Sequence, residues 1–91
     1  MSAVKNTLTI KNKRGLHARA SAKFVQLVEG FDASVAVSKD GQTVCGTSIM
    51  GLMMLAAAPG CCIEVETSGN EAEEVLNAIT NLVDDLFGEG E

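Results

Sequence analysis

The sequence predicts an α+β fold, an open-faced β-sandwich in which helices cover one side of a sheet. Three observations lead there. Four segments alternate apolar and polar residues, so each buries a single face. Three others repeat apolar residues every three to four positions, as amphipathic helices do. Their order along the 91 residues is β-α-β-β-α-β-α. One-sided strands need helices on one face of the sheet and tolerate water on the other. The right-handed crossover rule places the first two strands parallel, with room for another strand between them.

The first strand spans Val4 to Lys11, with Val4, Leu8 and Ile10 inward and Asn6 interrupting that face. Asn12 to Gly15 is a polar turn ending in glycine. The first helix runs from Ala18 to Glu29, where Ala20, Phe24, Leu27 and Val28 share a face. Gly30 follows at the position where a left-handed cap is expected, and Phe31 can close the accompanying apolar contact. The second strand is Ala33 to Ser38, with Val35 and Val37 inward. Asp40-Gly41 suits a hairpin turn with positive φ at both central residues. The third strand, Gln42 to Gly46, is short, contains a glycine and reads as an edge.

Thr47 or Ser48 can cap the second helix, and Pro59-Gly60 stops it. Ile49, Leu52, Met53 and Ala56 form one face, and Met50 and Met54 lie on another. The fourth strand is Cys61 to Thr67, with Cys61, Ile63 and Val65 inward. Asn70 and Glu73 make a capping box for the last helix, whose stripe of Ala72, Val75, Leu76, Ile79, Leu82, Val83 and Leu86 runs through Phe87. The final residues, 88–91, are expected to fray.

Composition narrows the function. Apolar residues make up 46% of the chain, with no Trp or Tyr, so one aliphatic core with a few Phe and Met is expected over a single domain, residues 1–91. A net charge of −5 argues against nucleic acid, where basic surface supplies the affinity. No apolar signal segment opens the chain, and Ile49 to Ala58 is too short to span a bilayer. A soluble cytoplasmic protein without membrane insertion is the expectation. Cys45, Cys61 and Cys62 are odd in number and lack metal-ligand spacing, so they read as free thiols with no metal site.

The stretch from Gly15 to Val25 carries the chemistry. It holds the one histidine of the sequence, His17, at the change from strand period to helix period. Helix starts present unpaired N–H groups and partial positive charge. Arg19 adds a guanidinium suited to phosphate. An imidazole is the side chain that can be a neutral nucleophile near pH 7. Together these residues make a site for a phosphoryl group carried on histidine. The plain alternative is a surface or capping histidine with no such role. Ser48 likewise reads first as an ordinary N-cap, and Met50 and Met54 either as a second buried stripe or as an exposed docking patch.

Gly15-Leu16-His17-Ala18-Arg19 with Ala22-Lys23-Phe24-Val25 resembles the active-site signature of the HPr family, the histidine phosphocarriers of the bacterial phosphoenolpyruvate-dependent phosphotransferase system. Thr47 to Leu55 resembles the regulatory-serine helix of that family, and the order of elements matches from Val4 to Phe87. The resemblance implies a four-stranded antiparallel sheet of order 1-4-2-3 under three helices, with phosphorylation of His17 at Nδ1 and phosphate stabilisation by Arg19. It implies an enzyme I-type phosphotransferase as donor, an EIIA-type acceptor, and an HPr kinase/phosphorylase acting on Ser48. A monomer without a cofactor is expected, serving either sugar uptake or the nitrogen-related branch. The expected partner surface takes in Ala20, Ile49, Met50, Met53 and Met54. The family usually has proline where this chain has Ala20, a change that loosens the first helical turn by about 0.4–1 kcal/mol. The rival reading is a regulatory binding protein on the same fold that transfers nothing and is controlled through Ser48.

Overall fold

Leu8 stands opposite Ile63, and Val37 opposite Val65, across antiparallel ladders whose other faces carry Thr, Ser, Lys and Glu. This alternation builds the sheet of the computed structural model, which describes residues 3–88. The strands are β1 (Val4–Thr9), β2 (Ser34–Lys39), β3 (Gln42–Cys45) and β4 (Cys62–Ser68), in the spatial order β1-β4-β2-β3 and antiparallel throughout. The helices are α1 (Ala18–Glu29), α2 (Ile49–Met54) and α3 (Ala72–Asp84), followed by a 3-10 turn at Leu86–Gly88. Leu8, Ile10, Val35, Val37, Ile63 and Val65 meet Phe24, Val28, Leu52, Val75, Ile79, Val83 and Phe87 in one buried cluster. Each large apolar side chain buried there contributes roughly 1.5–3 kcal/mol. Among the described residues no helix is long and apolar enough to cross a membrane.

Asp40 and Gly41 have φ of 52° and 83°, the paired positive values expected of this hairpin. All three cysteines are free thiols. The fraying expected at the C-terminus falls mainly on 89–91, outside the described residues.

Four expectations need correction. Gly30 caps α1 with φ −80°, not in the left-handed region, because the helix closes instead through tight bonds from Gly30 and Phe31 N–H to Leu27 and Val28 carbonyls. The capping box of α3 does not form. Glu71 occupies the N-cap without a side-chain cap bond. Asp32 draws both neighbouring side chains away: Asn70 Nδ2 donates to its carboxylate at 2.9 Å, and its N–H donates to Glu71 Oε1 at 2.7 Å. Helix α2 ends at Met54, well before Pro59, because Ala56 turns the chain with φ 53°. The faces of α2 also differ from the pattern: Leu52 and Leu55 point into the core, whereas Ile49, Met53 and Ala56 are exposed.

Candidate functional site

The loop before α1 is held at both ends. Gly15 N–H donates to the Asn12 carbonyl at 3.2 Å, and the buried Asn12 amide donates back to the Gly15 carbonyl at 2.9 Å. Gly15 has φ 65°, and a Cβ there would overlap the Ala57 carbonyl oxygen. Only glycine meets both demands. The next residue, Leu16, donates its N–H to that same carbonyl at 2.9 Å, so the loop is fastened to the chain segment that follows α2. Ala56, in the left-handed region, is what turns Ala57 toward this bond.

His17 is thereby placed as the N-cap of α1, with extended backbone at φ −78° and ψ −177°. Its Nδ1 accepts the Arg19 N–H at 3.3 Å. An imidazole nitrogen that accepts carries its lone pair there, so Nδ1 faces the amides of the helix start. Helical bonding begins one step later, from Ser21 N–H to the His17 carbonyl at 2.9 Å. The Ser21 hydroxyl, fully buried, donates to the Leu16 carbonyl at 3.3 Å. Asn12 and Ser21 thus bracket His17 from either side. Neither role is legible in the sequence, because a polar turn residue and a small helical residue carry no visible mark of what they bond.

His17 is half-buried, and Arg19 is exposed one turn edge away. Arg14, also exposed, lines a shallow depression beside His17 with Leu16 and the 56–58 segment. The sequence carries a charge asymmetry to match. Six of the seven Lys and Arg stand at or before position 23, and all twelve Asp and Glu stand at or after position 29. The net charge of −5 therefore conceals a cation-rich N-terminal stretch; Lys5 and Lys11 pair with Glu64 and Asp84, while Arg14 lines the depression beside His17. Ala20 corrects another expectation: its side chain is fully buried and unavailable to a partner.

Ser48 forms the second helix start. Its Oγ accepts the Gly51 N–H at 3.0 Å, and its carbonyl accepts the Leu52 N–H at 3.0 Å. Beside it the Thr47 hydroxyl bonds Cys45 Sγ at 3.1 Å, and Thr47 holds that thiol below its ordinary range. Beyond Ser48, Ile49, Met50, Met53 and Met54 expose 40, 70, 39 and 65% of their surface. Helix α2 packs against α1, so this apolar patch and the His17 helix belong to the same side of the molecule.

The chain is similar to known proteins in sequence and in fold. The family described as "PTS HPr component phosphorylation site" matches residues 4–85. The phosphocarrier protein HPr of Neisseria meningitidis serogroup A is 52% identical over 88 residues, covering 97% of this chain and 99% of the relative. The phosphocarrier protein NPr of Escherichia coli K12 is 42% identical over 87 residues, covering 94% of this chain and 97% of the relative. A crystal structure of HPr from Thermoanaerobacter tengcongensis superposes with a TM-score of 0.88 at 40% identity, covering 98% of each chain.

Proposed function

Because the chain belongs to the HPr family of the phosphotransferase system, we propose that it carries a phosphoryl group on His17. The donor is an enzyme I-type phosphotransferase charged by phosphoenolpyruvate, and the acceptor is a histidine of an EIIA-type protein. One observation carries the reading: His17 caps α1 with Nδ1 turned to the Arg19 amide. In the transfer the Nδ1 lone pair attacks phosphorus. The bond between phosphorus and the donor breaks, and its electron pair stays with the donor. The Arg19 N–H then turns from Nδ1 to a phosphoryl oxygen, and the helix start offers further amide donors to the same group. The exposed Arg19 guanidinium supplies a charged hydrogen bond of roughly 1.5–3 kcal/mol. Such support holds the phosphate without preventing its departure. The exposed face of α2 docks the partners.

Incubation of the chain with phosphoenolpyruvate and an enzyme I should give one acid-labile, base-stable phosphate, absent from His17→Ala. An acid-stable product, or labelling that survives the substitution, overturns the reading. Which EIIA-type acceptor discharges the labelled protein, sugar-specific or nitrogen-related, assigns the branch. The relatives include both an HPr and an NPr, so both acceptors belong in the assay. The regulatory reading, with an HPr kinase/phosphorylase acting on Ser48 in the cytoplasm, draws support from the place of Ser48 beside the exposed methionines. It requires neither His17 nor Arg19, and the same labelling experiment separates the two.

A further inference from the structure

We propose that Met50 and Met54 are a reversible oxidation site, and that their sulfoxides prevent docking of the phosphoryl donor. The inference rests on the reading of the α2 face as the docking surface. Among the described residues, Met50 and Met54 are the two most exposed of the large apolar ones, at 70 and 65%. They stand four residues apart, hence over one another on the same helix face. Met53, 39% exposed, lies between them, so three thioethers share one short surface. No core contact depends on the two outer ones: the residues of this segment that enter the core are Leu52 and Leu55.

The chemistry needs a two-electron oxidant of the hydroperoxide class. A sulfur lone pair attacks the nearer peroxide oxygen, the O–O bond breaks, and water or an alcohol leaves. Sulfur is oxidised to the sulfoxide while the peroxide is reduced. A thiol-dependent methionine sulfoxide reductase returns the thioether. The consequence follows from polarity. A thioether loses little when a partner covers it, and its soft, flexible side chain adapts to varied partners. A sulfoxide is strongly polar and must be stripped of water in the interface without an assured hydrogen-bond partner. Two of them on the patch should weaken donor binding at least about tenfold. The fold and His17 itself are untouched, so the carrier becomes idle without being destroyed.

The test compares full-length protein before and after limited hydrogen peroxide, with thiols afterwards reduced, by titration against an enzyme I and by peptide mass mapping. The native protein should gain one oxygen at each of Met50 and Met54, lose donor affinity at least tenfold, and recover it with the reductase. The double variant Met50→Leu, Met54→Leu keeps the apolar surface and all three cysteines. Its own donor affinity, measured before treatment, should not change on exposure to peroxide. If the Leu variant loses affinity on peroxide as the native protein does, the sensitive groups lie elsewhere, in Met53 or the cysteines, and the proposal fails. If both methionines are oxidised and donor affinity is unchanged, it fails as well. The variant Met50→Asp, Met54→Asp separates that failure from failure of the docking reading. Lost binding in the Asp variant with intact binding of the sulfoxide form overturns the oxidation proposal alone. Intact binding in both overturns the docking surface too.

Discussion

The two helix starts on this side of the molecule are built alike and differ in what the cap can give up. Both α1 and α2 begin at a polar side chain that accepts one backbone N–H. His17 accepts from Arg19 at 3.3 Å, long for such a bond, and Ser48 accepts from Gly51 at 3.0 Å. Behind His17 stands a helix of 12 residues with Ala20, Ser21, Phe24, Val25 and Val28 buried. Behind Ser48 stands a helix of 6 residues with Leu52 as its single buried member. The long helix should persist without its cap, which on the proposed function leaves the His17 lone pair for phosphorus. The short one relies on its cap, so a change at Ser48 is felt by the patch it introduces.

The largest predicted effect breaks the connection between the two starts. Gly15→Ala forces a Cβ against the Ala57 carbonyl at φ 65° and should destabilise the protein by roughly 2–4 kcal/mol, read from denaturant unfolding. Unchanged stability would mean that the loop and the 56–58 segment move apart freely. Next comes the short helix: Ser48→Ala should cost about 1 kcal/mol, the usual loss for a removed N-cap. Ser48→Asp keeps an acceptor and adds negative charge at the helix start, so its melting temperature should equal or slightly exceed that of the native protein. The same charge beside Met50 and Met54 should weaken donor binding. Lower stability with undiminished binding would reduce Ser48 to a structural cap.

The long helix should respond less. His17→Ala removes a weaker cap from a better buried element and should cost no more than about 0.5 kcal/mol, while phosphorylation is lost entirely. A cost above that of Ser48→Ala reverses the comparison. Smallest of all in stability is Arg19→Lys, expected within about 0.5 kcal/mol of the native protein, as for other exposed positions. Its transfer rate should nevertheless fall, because lysine keeps the charge and loses the planar fork. Equal rates would remove the Arg19 side chain from the mechanism.

Much of this architecture is written in periodicity. The bounds of α1, Ala18 and Glu29, follow from His17 and Gly30 on either side of an apolar stripe, and the alternation of β4 continues to a buried Thr67. The faces of α2 were not legible for a simple reason: in 6 residues, less than two turns, several helical phases fit the same apolar letters. The chain reversal at Ala56 was invisible because alanine is not a left-handed residue by preference. The capping box at Asn70 was a sound local pattern defeated by a residue distant in sequence, Asp32. At the site, Gly15, His17 and Arg19 declare themselves by residue type. Asn12 and Ser21 do not, since each acts by hydrogen-bonding a main-chain carbonyl that only the folded loop presents.

The bond from Leu16 N–H to the Ala57 carbonyl has a consequence for how the site opens. It is one amide, next to His17 in sequence, bonded across to a different loop. Its hydrogen–deuterium exchange therefore reports the separation of those two loops rather than the melting of any helix. In the resting protein this proton should exchange more slowly than the amides of exposed loop residues such as Lys13. Should Leu16 exchange slow further in the phosphorylated protein, the two loops form a latch that phosphate tightens. An unchanged rate would identify a rigid seat, already set before any phosphate arrives.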